Sequence, residues 1–213
     1  MTAIGQKGLD LYIKKDGEWR FAGVGVPKMK EPFKQHSGTL IEKMDDSEKE
    51  CLLYLPLYDR VDTLMLGFDK GATVEAIPNP FKYNIIFEGS SITHGASAGR
   101  PGLCYTGLLE TQYGLYCMNM GFSGNSKLQK ELAQYMAGVE NVDAFVLDAF
   151  SNPSAAEIES RFDEFVDILR ASHPTTPIIF LQTETRETRN FNMTKEKVEA
   201  DKQAAAERKV RER

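Results

Sequence analysis

The chain has 213 residues, 41% hydrophobic and 27% charged, with a formal net charge of −5. This is an ordinary globular composition with enough material for a sizeable core. The acidic balance argues against a broad basic surface for nucleic acid or anionic lipid, and no run comes near the roughly 18 apolar residues that span a bilayer. The three cysteines, Cys51, Cys104 and Cys117, lack the number and spacing of a disulfide framework or zinc site and read as packed thiols. The opening Met1-Thr2-Ala3-Ile4-Gly5 has neither a charged n-region nor an apolar h-region, so no signal peptide is visible in this chain.

The first 80 residues have a β texture. Leu9 to Ile13 and Glu18 to Ala22 flank Asp16-Gly17, a hairpin signal because such turns need positive φ. Cys51 to Leu57, Val61 to Phe68 and Ala72 to Ile77 are further strand candidates. Together they predict a small, incomplete antiparallel β domain over 1–80, bounded by Pro78-Asn79-Pro80.

From residue 81 strands and helices alternate. Tyr83 to Phe87, Tyr116 to Met120, Ala144 to Leu147 and Pro177 to Leu181 read as strands. Tyr105 to Tyr113 and Lys127 to Met136 read as helices. Ser154-Ala155-Ala156-Glu157 is a capping box opening a third, which buries Ile158, Phe162, Phe165 and Leu169 and stops at Pro174. Thr194 to Arg213 is rich in Ala, Glu, Lys and Arg and reads as an exposed, solvated helix. The alternation predicts βαβ units, a parallel sheet and right-handed crossovers over 81–213.

Ligands of such sheets sit beyond the carboxyl ends of the strands. There the chain delivers Gly89-Ser90-Ser91-Ile92-Thr93-His94-Gly95, then Gly121-Phe122-Ser123-Gly124-Asn125, then Asp148-Ala149-Phe150-Ser151-Asn152-Pro153. A serine between a strand and a helix start exposes its hydroxyl in a positive local field. A glycine lets a backbone N–H approach a ligand, and an asparagine amide can donate to a developing oxyanion. Each turn taken singly is also an ordinary βα loop; the signal is their convergence.

The blocks Gly89-Ser90-Ser91-Ile92-Thr93-x-Gly95, Arg100-Pro101-Gly102-x-x-Tyr105, Asn119-x-Gly121-Phe122-Ser123-Gly124-Asn125 and Leu147-Asp148-x-x-x-Asn152 resemble the SGNH hydrolase superfamily, GDSL-like acylhydrolase group. The N-terminal Gly8-Leu9-Asp10-Leu11-Tyr12, with Trp19 and Leu53-Tyr54-Leu55-Pro56-Leu57-Tyr58, resembles the β domain preceding that hydrolase domain. The resemblance implies a flavodoxin-like three-layer α/β/α domain and ester hydrolysis through an acyl-enzyme. It implies Ser91 as nucleophile and Ser91, Gly124 and Asn152 as oxyanion donors; Arg100 and Tyr105 are read as pocket rim beside the acyl part, and His94, three residues after Ser91, as pocket rim or an exposed helix residue. Small acyl esters, including acetylated carbohydrate, are the implied substrates. No metal or cofactor is implied, and a periplasmic or secreted parent fits. Two positions depart from the pattern: Ser90 stands where an Asp is frequent, and Phe150 where a Gly is usual.

The family's Asp-x-x-His pair is not found in the sequence, which has only His36, His94 and His173. His36 lies in the β half. His173 ends a helix antiparallel to the strands, so the sheet's length, about 17–20 Å, separates it from Ser91. His94 is too close in sequence to Ser91, and no evident carboxylate orients its ring. The chain is therefore expected to be a truncated hydrolase domain of very low activity alone, or else a non-catalytic homologue. A missing last strand would leave a bare sheet edge and invite self-association. Two other readings stay open: a glycan- or partner-binding module using Trp19, and a nucleotide or phosphate binder using the Gly89–Gly95 turn. The latter lacks P-loop and dinucleotide spacing.

Overall fold

The computed structural model describes residues 1–27 and 36–213. In chain order the elements are α1 (Ala3–Lys7), β1 (Leu9–Lys15), β2 (Glu18–Gly25), β3 (Cys51–Tyr54), β4 (Lys82–Gly89), α2 (Ser91–His94), α3 (Tyr105–Tyr113), β5 (Leu115–Gly121), α4 (Lys130–Ala137), β6 (Ala144–Asp148), α5 (Ala155–Ser172), β7 (Ile178–Phe180) and α6 (Met193–Arg211). Contacts divide the chain into two compact units. The first is Met1–Lys82 with Ser97–Tyr116; the second is Tyr83–Ala96 with Cys117–Arg213.

The first unit is built on an antiparallel sheet of order β2-β1-β3. Asp16 (φ 54°) and Gly17 (φ 83°) take the positive φ pair that a tight hairpin requires, so β1 and β2 pair from Leu9↔Gly25 to Lys15↔Glu18. β3 ends at Tyr54, short of the expected Leu57; Pro56 comes next but one and cannot donate to a ladder. The strands expected at Val61 to Phe68 and Ala72 to Ile77 do not form. Neither run joins the sheet of β2, β1 and β3, and Met65, Phe68, Val74 and Ile77 stay exposed. Apolar texture without a ladder partner makes no strand.

The unit's interior is polar at its centre. Asp10 is fully buried, and its Oδ2 accepts from Arg100 Nη1 (2.6 Å) and Gly102 N (2.9 Å). The Arg100 guanidinium also donates to Tyr12 Oη (2.8 Å) and lies 3.9 Å over the Phe21 ring.

The second unit is a mixed α/β structure with strand order β5-β4-β6-β7, in which β4, β6 and β7 run parallel. That is the flavodoxin-like order, whose switch point lies between the first and third strands. The fully buried Ile86, Phe145 and Leu147 of the sheet meet Ile158, Phe162, Phe165 and Leu169 of α5. The capping box forms as expected: Glu157 N donates to Ser154 Oγ (3.2 Å) and Ser154 N to Glu157 Oε2 (2.8 Å). α4 starts three residues later than its pattern suggests, because Leu128 sits at φ 57°.

α6 departs from the solvated helix expected. It buries Ala205 and Ala206 in the core, together with Glu199 and Lys202. It is pinned to α5 by Lys209–Asp163 (2.5 Å) and Arg208–Glu159, and Arg213, just past its end, reaches Asp167 (2.6 Å). Alanines allow close helix approach while the flanking basic residues reach acidic ones, so the charge-rich composition concealed a docking face. No helix in the described residues is long and apolar enough to cross a membrane.

Candidate functional site

β4, β5 and β6 of the second unit deliver their succeeding loops to one edge, and hydrogen bonds stitch these loops together. The β5 loop is tied to the β4 loop by Phe122 N to Gly89 O (2.8 Å) and Asn119 Nδ2 to Thr93 O (2.7 Å). Gly121 is required there, since any side chain would overlap the backbone nitrogen of His94. The β6 loop is joined through Asp148. Its Oδ2 accepts from Ser90 N (3.0 Å), Ser90 Oγ (2.5 Å) and Thr93 Oγ1 (3.1 Å), and its Oδ1 faces Ser151 Oγ (3.0 Å).

Ser91 is the first residue of α2 and is half-buried. α2 has only four residues, so the field there comes from one turn of N–H groups rather than a long helix dipole. Ser90 is its N-cap, with Oγ accepting from Ile92 N at 3.2 Å while donating to Asp148. A serine can do both where the family's frequent aspartate would meet the Asp148 carboxylate head-on. Gly124 lies at φ 74° in the exposed turn closed by Asn125 N to Phe122 O (2.9 Å), a left-handed conformation natural to glycine. Asn152 lies four residues beyond Asp148, and its Nδ2 is buried without a hydrogen-bond partner among the described residues. Phe150, which stands where the resemblance leads one to expect a glycine, turns into the core and stacks on Phe162 (6.0 Å) and Phe180 (5.7 Å).

The three histidines are placed differently. His94 Nδ1 accepts from Ser123 N at 3.3 Å, which puts the proton of the neutral ring on Nε2. In that tautomer His94 presents a donor, not the lone pair a general base needs. His173 caps the C-terminus of α5, with Nε2 3.2 Å from Ala137 O and its ring edge-on to Phe145 near the start of β6. His36 belongs to the first unit. So do Arg100, engaged by Asp10 and Tyr12, and Tyr105, which opens α3. Trp19 is half-buried, with Phe81 at 6.1 Å and the Lys14 ammonium 5.6 Å over its ring. Among the described residues no cluster of three or more His, Cys, Asp or Glu could hold a metal ion.

Sequence reasoning missed several acidic and basic groups beneath this edge. Glu88 is fully buried at the end of β4, and Ser126 Oγ donates to its Oε1. Burial pushes its carboxyl up to about 7, and Asp148 nearby adds to the rise. Glu184 Oε2 lies 2.7 Å from Ser151 Oγ. Lys202 Nζ reaches Ser151 O at 3.0 Å. A carboxylate at the end of an apolar strand was the only visible signal; the others needed the tertiary contacts.

Residues 82–213 match the model of the GDSL-like Lipase/Acylhydrolase family, and residues 1–74 match the N-terminus of Esterase_SGNH_hydro-type proteins. A crystal structure from Bacteroides ovatus ATCC 8483, described as a GDSL-like lipase, is 46% identical with a TM-score of 0.90. The match covers 99% of this chain and 61% of that one. The salicylyl-acyltransferase SsfX3 from a tetracycline biosynthetic pathway is 23% identical, with a TM-score of 0.48 over 81% of this chain and 51% of that one. No curated protein matches.

Proposed function

Because this chain belongs to the GDSL-like lipase/acylhydrolase family, a family of hydrolases, we propose that it serves ester hydrolysis through an acyl-enzyme on Ser91. The Ser91 Oγ attacks the ester carbonyl, the oxyanion is received by the N–H groups of Ser91 and Gly124 and by Asn152 Nδ2, the alcohol leaves, and water releases the acid. The substrates are small acyl esters, acetylated carbohydrate among them.

The observation that carries this reading is the unspent donor of Asn152. A buried amide N–H without a partner costs about 1–3 kcal/mol, and such groups mark places where a ligand completes the hydrogen bonding. Asn152 lies at the switch-point edge, on the loop that Asp148 ties to the Ser90–Ser91 turn. A donor aimed at the developing oxyanion offsets its ground-state cost in the transition state.

Activation of Ser91 needs a base. The His94 tautomer and the placement of His173 support neither, and the proposal puts the base on chain outside residues 1–213. These residues then form a hydrolase domain without its Asp-x-x-His element.

The test is labelling with a fluorophosphonate, read by intact mass, on this chain and on a version extended by the downstream sequence of its gene. Label at Ser91 in the extended chain alone, abolished by Ser91→Ala and slowed about 100- to 1,000-fold by Asn152→Ala, is the expected result. Absence of label from both chains would reject the serine-hydrolase reading. Ordinary turnover of p-nitrophenyl acetate by the 213 residues alone would reject the placement of the base.

A further inference from the structure

We propose that Lys202 of α6 is a positioning residue for Asn152: its buried ammonium holds the Ser151 carbonyl and so sets the direction of the Asn152 amide. The inference rests on the reading of Asn152 as an oxyanion donor and extends the machinery to a residue 51 positions from the loop it holds.

Among the described residues no hydrogen bond through Nδ2 fixes the buried Asn152 amide, so the placement of the backbone that carries it weighs heavily in its direction. On one side stands the buried Pro153, whose ring drives the preceding residue toward an extended backbone. On the other stands the Ser151–Asn152 peptide, a rigid plane whose carbonyl oxygen and adjoining N–H turn together. That oxygen accepts from Lys202 Nζ (3.0 Å) and from Arg186 Nη2 (3.3 Å). The Ser151 hydroxyl lies between Asp148 Oδ1 and Glu184 Oε2. Ser151 is therefore held at both its main chain and its side chain.

A buried ammonium is a costly way to satisfy one carbonyl. Lys202 is 5% exposed, and removing its charge from water is strongly unfavourable unless it is paired. Glu199, 7% exposed, pairs with it at 3.2 Å and with Arg186 Nη1 at 2.9 Å. Water or a neutral amide would satisfy a surface carbonyl more cheaply. What the cation adds is a short, directed, charge-assisted bond at fixed geometry, delivered by a helix that α5 anchors. Arg186 is half exposed and holds the same oxygen less firmly.

The test uses the full-length protein with Lys202→Met, which keeps the stem and removes the ammonium, and Lys202→Arg, which keeps the cation. With p-nitrophenyl acetate, Lys202→Met lowers kcat about 10- to 100-fold at unchanged KM. Lys202→Arg restores much of the loss, and Lys202→Met costs little further activity in an Asn152→Ala background. Equal losses in both backgrounds, or no loss, overturn the inference.

A second readout needs no turnover. The Asn152 side-chain amide pair in a 1H–15N spectrum, assigned by its disappearance in Asn152→Ala, moves in Lys202→Met and returns in Lys202→Arg. A stationary pair overturns the inference even if Ser91 is reactive. A pair that moves in a protein never labelled at Ser91 leaves the positioning role standing and removes the ester-hydrolase reading instead. Should Lys202→Met not fold, Lys202→Gln is read in the same way.

Discussion

The two units are held together by different physics. In the second, Phe145, Ile158, Phe162, Phe165 and Leu169 are fully buried against a parallel sheet, and stability tracks apolar area removed from water. In the first, the centre is Asp10, fully buried and holding Arg100 and Gly102, with Tyr12 accepting from the same Arg100. Beyond β3 that unit leaves Met65, Phe68 and Val74 exposed. An apolar core tolerates rearrangement at fixed volume, whereas a buried ion pair depends on each partner being present. The contrast shows how one chain can be stiff by volume in one region and by geometry in another.

The largest effect is expected from Phe162→Ala. The ring stacks on Phe150 and lies 5.2 Å from Phe180, and its loss should cost about 3–5 kcal/mol. Urea unfolding monitored by far-UV circular dichroism would show it, and a loss under about 1 kcal/mol would mean that the core is not the rigid packing described. Asp10→Ala comes next, at about 3 kcal/mol, because it strands a largely buried guanidinium. Trp19, the only tryptophan, lies in the first unit and reports this change by fluorescence. If Asp10→Ala leaves that transition in place, the polar centre is not what holds the unit.

Glu88 sharpens the comparison from the opposite side, as a charge problem inside the apolar unit. Its folded pKa, raised to about 7 from 4.5, means that the folded state binds the proton more tightly. Its contribution is full below about 4.5 and is lost as pH rises through 7, by at most about 1.4 kcal/mol per pH unit. Glu88→Gln should flatten stability across that window and leave acid stability nearly unchanged. Wild-type stability that rises between about pH 5 and 7 by an amount Glu88→Gln does not alter would contradict the assignment.

Much of the second unit was legible in the sequence because its signals are local. The capping box before α5, the 158/162/165/169 stripe and the four short strand runs each depend on neighbours a few residues away. The loops carrying Ser91, Gly124 and Asn152 were legible for the same reason, since each begins where an apolar strand run gives way to Gly, Ser or Asp. The first unit was read less well beyond its hairpin. Val61 to Phe68 and Ala72 to Ile77 have strand composition, but a strand exists only when another offers it a ladder.

The sequence by itself determined the family, the alternation of strands and helices, and the residues delivered past each strand, since these rest on periodicity, capping and motif. Only the tertiary structure decided how those residues are held. That Ser90 can replace an aspartate because Asp148 supplies the carboxylate, and that Phe150 is a core residue, are contacts across 58 positions for Ser90 and between side chains of β7 and α5 for Phe150. That a charge-rich last helix buries a lysine against the loop of Asn152 is of the same kind. Such pairings depend on which surfaces meet in space, and no local pattern encodes them.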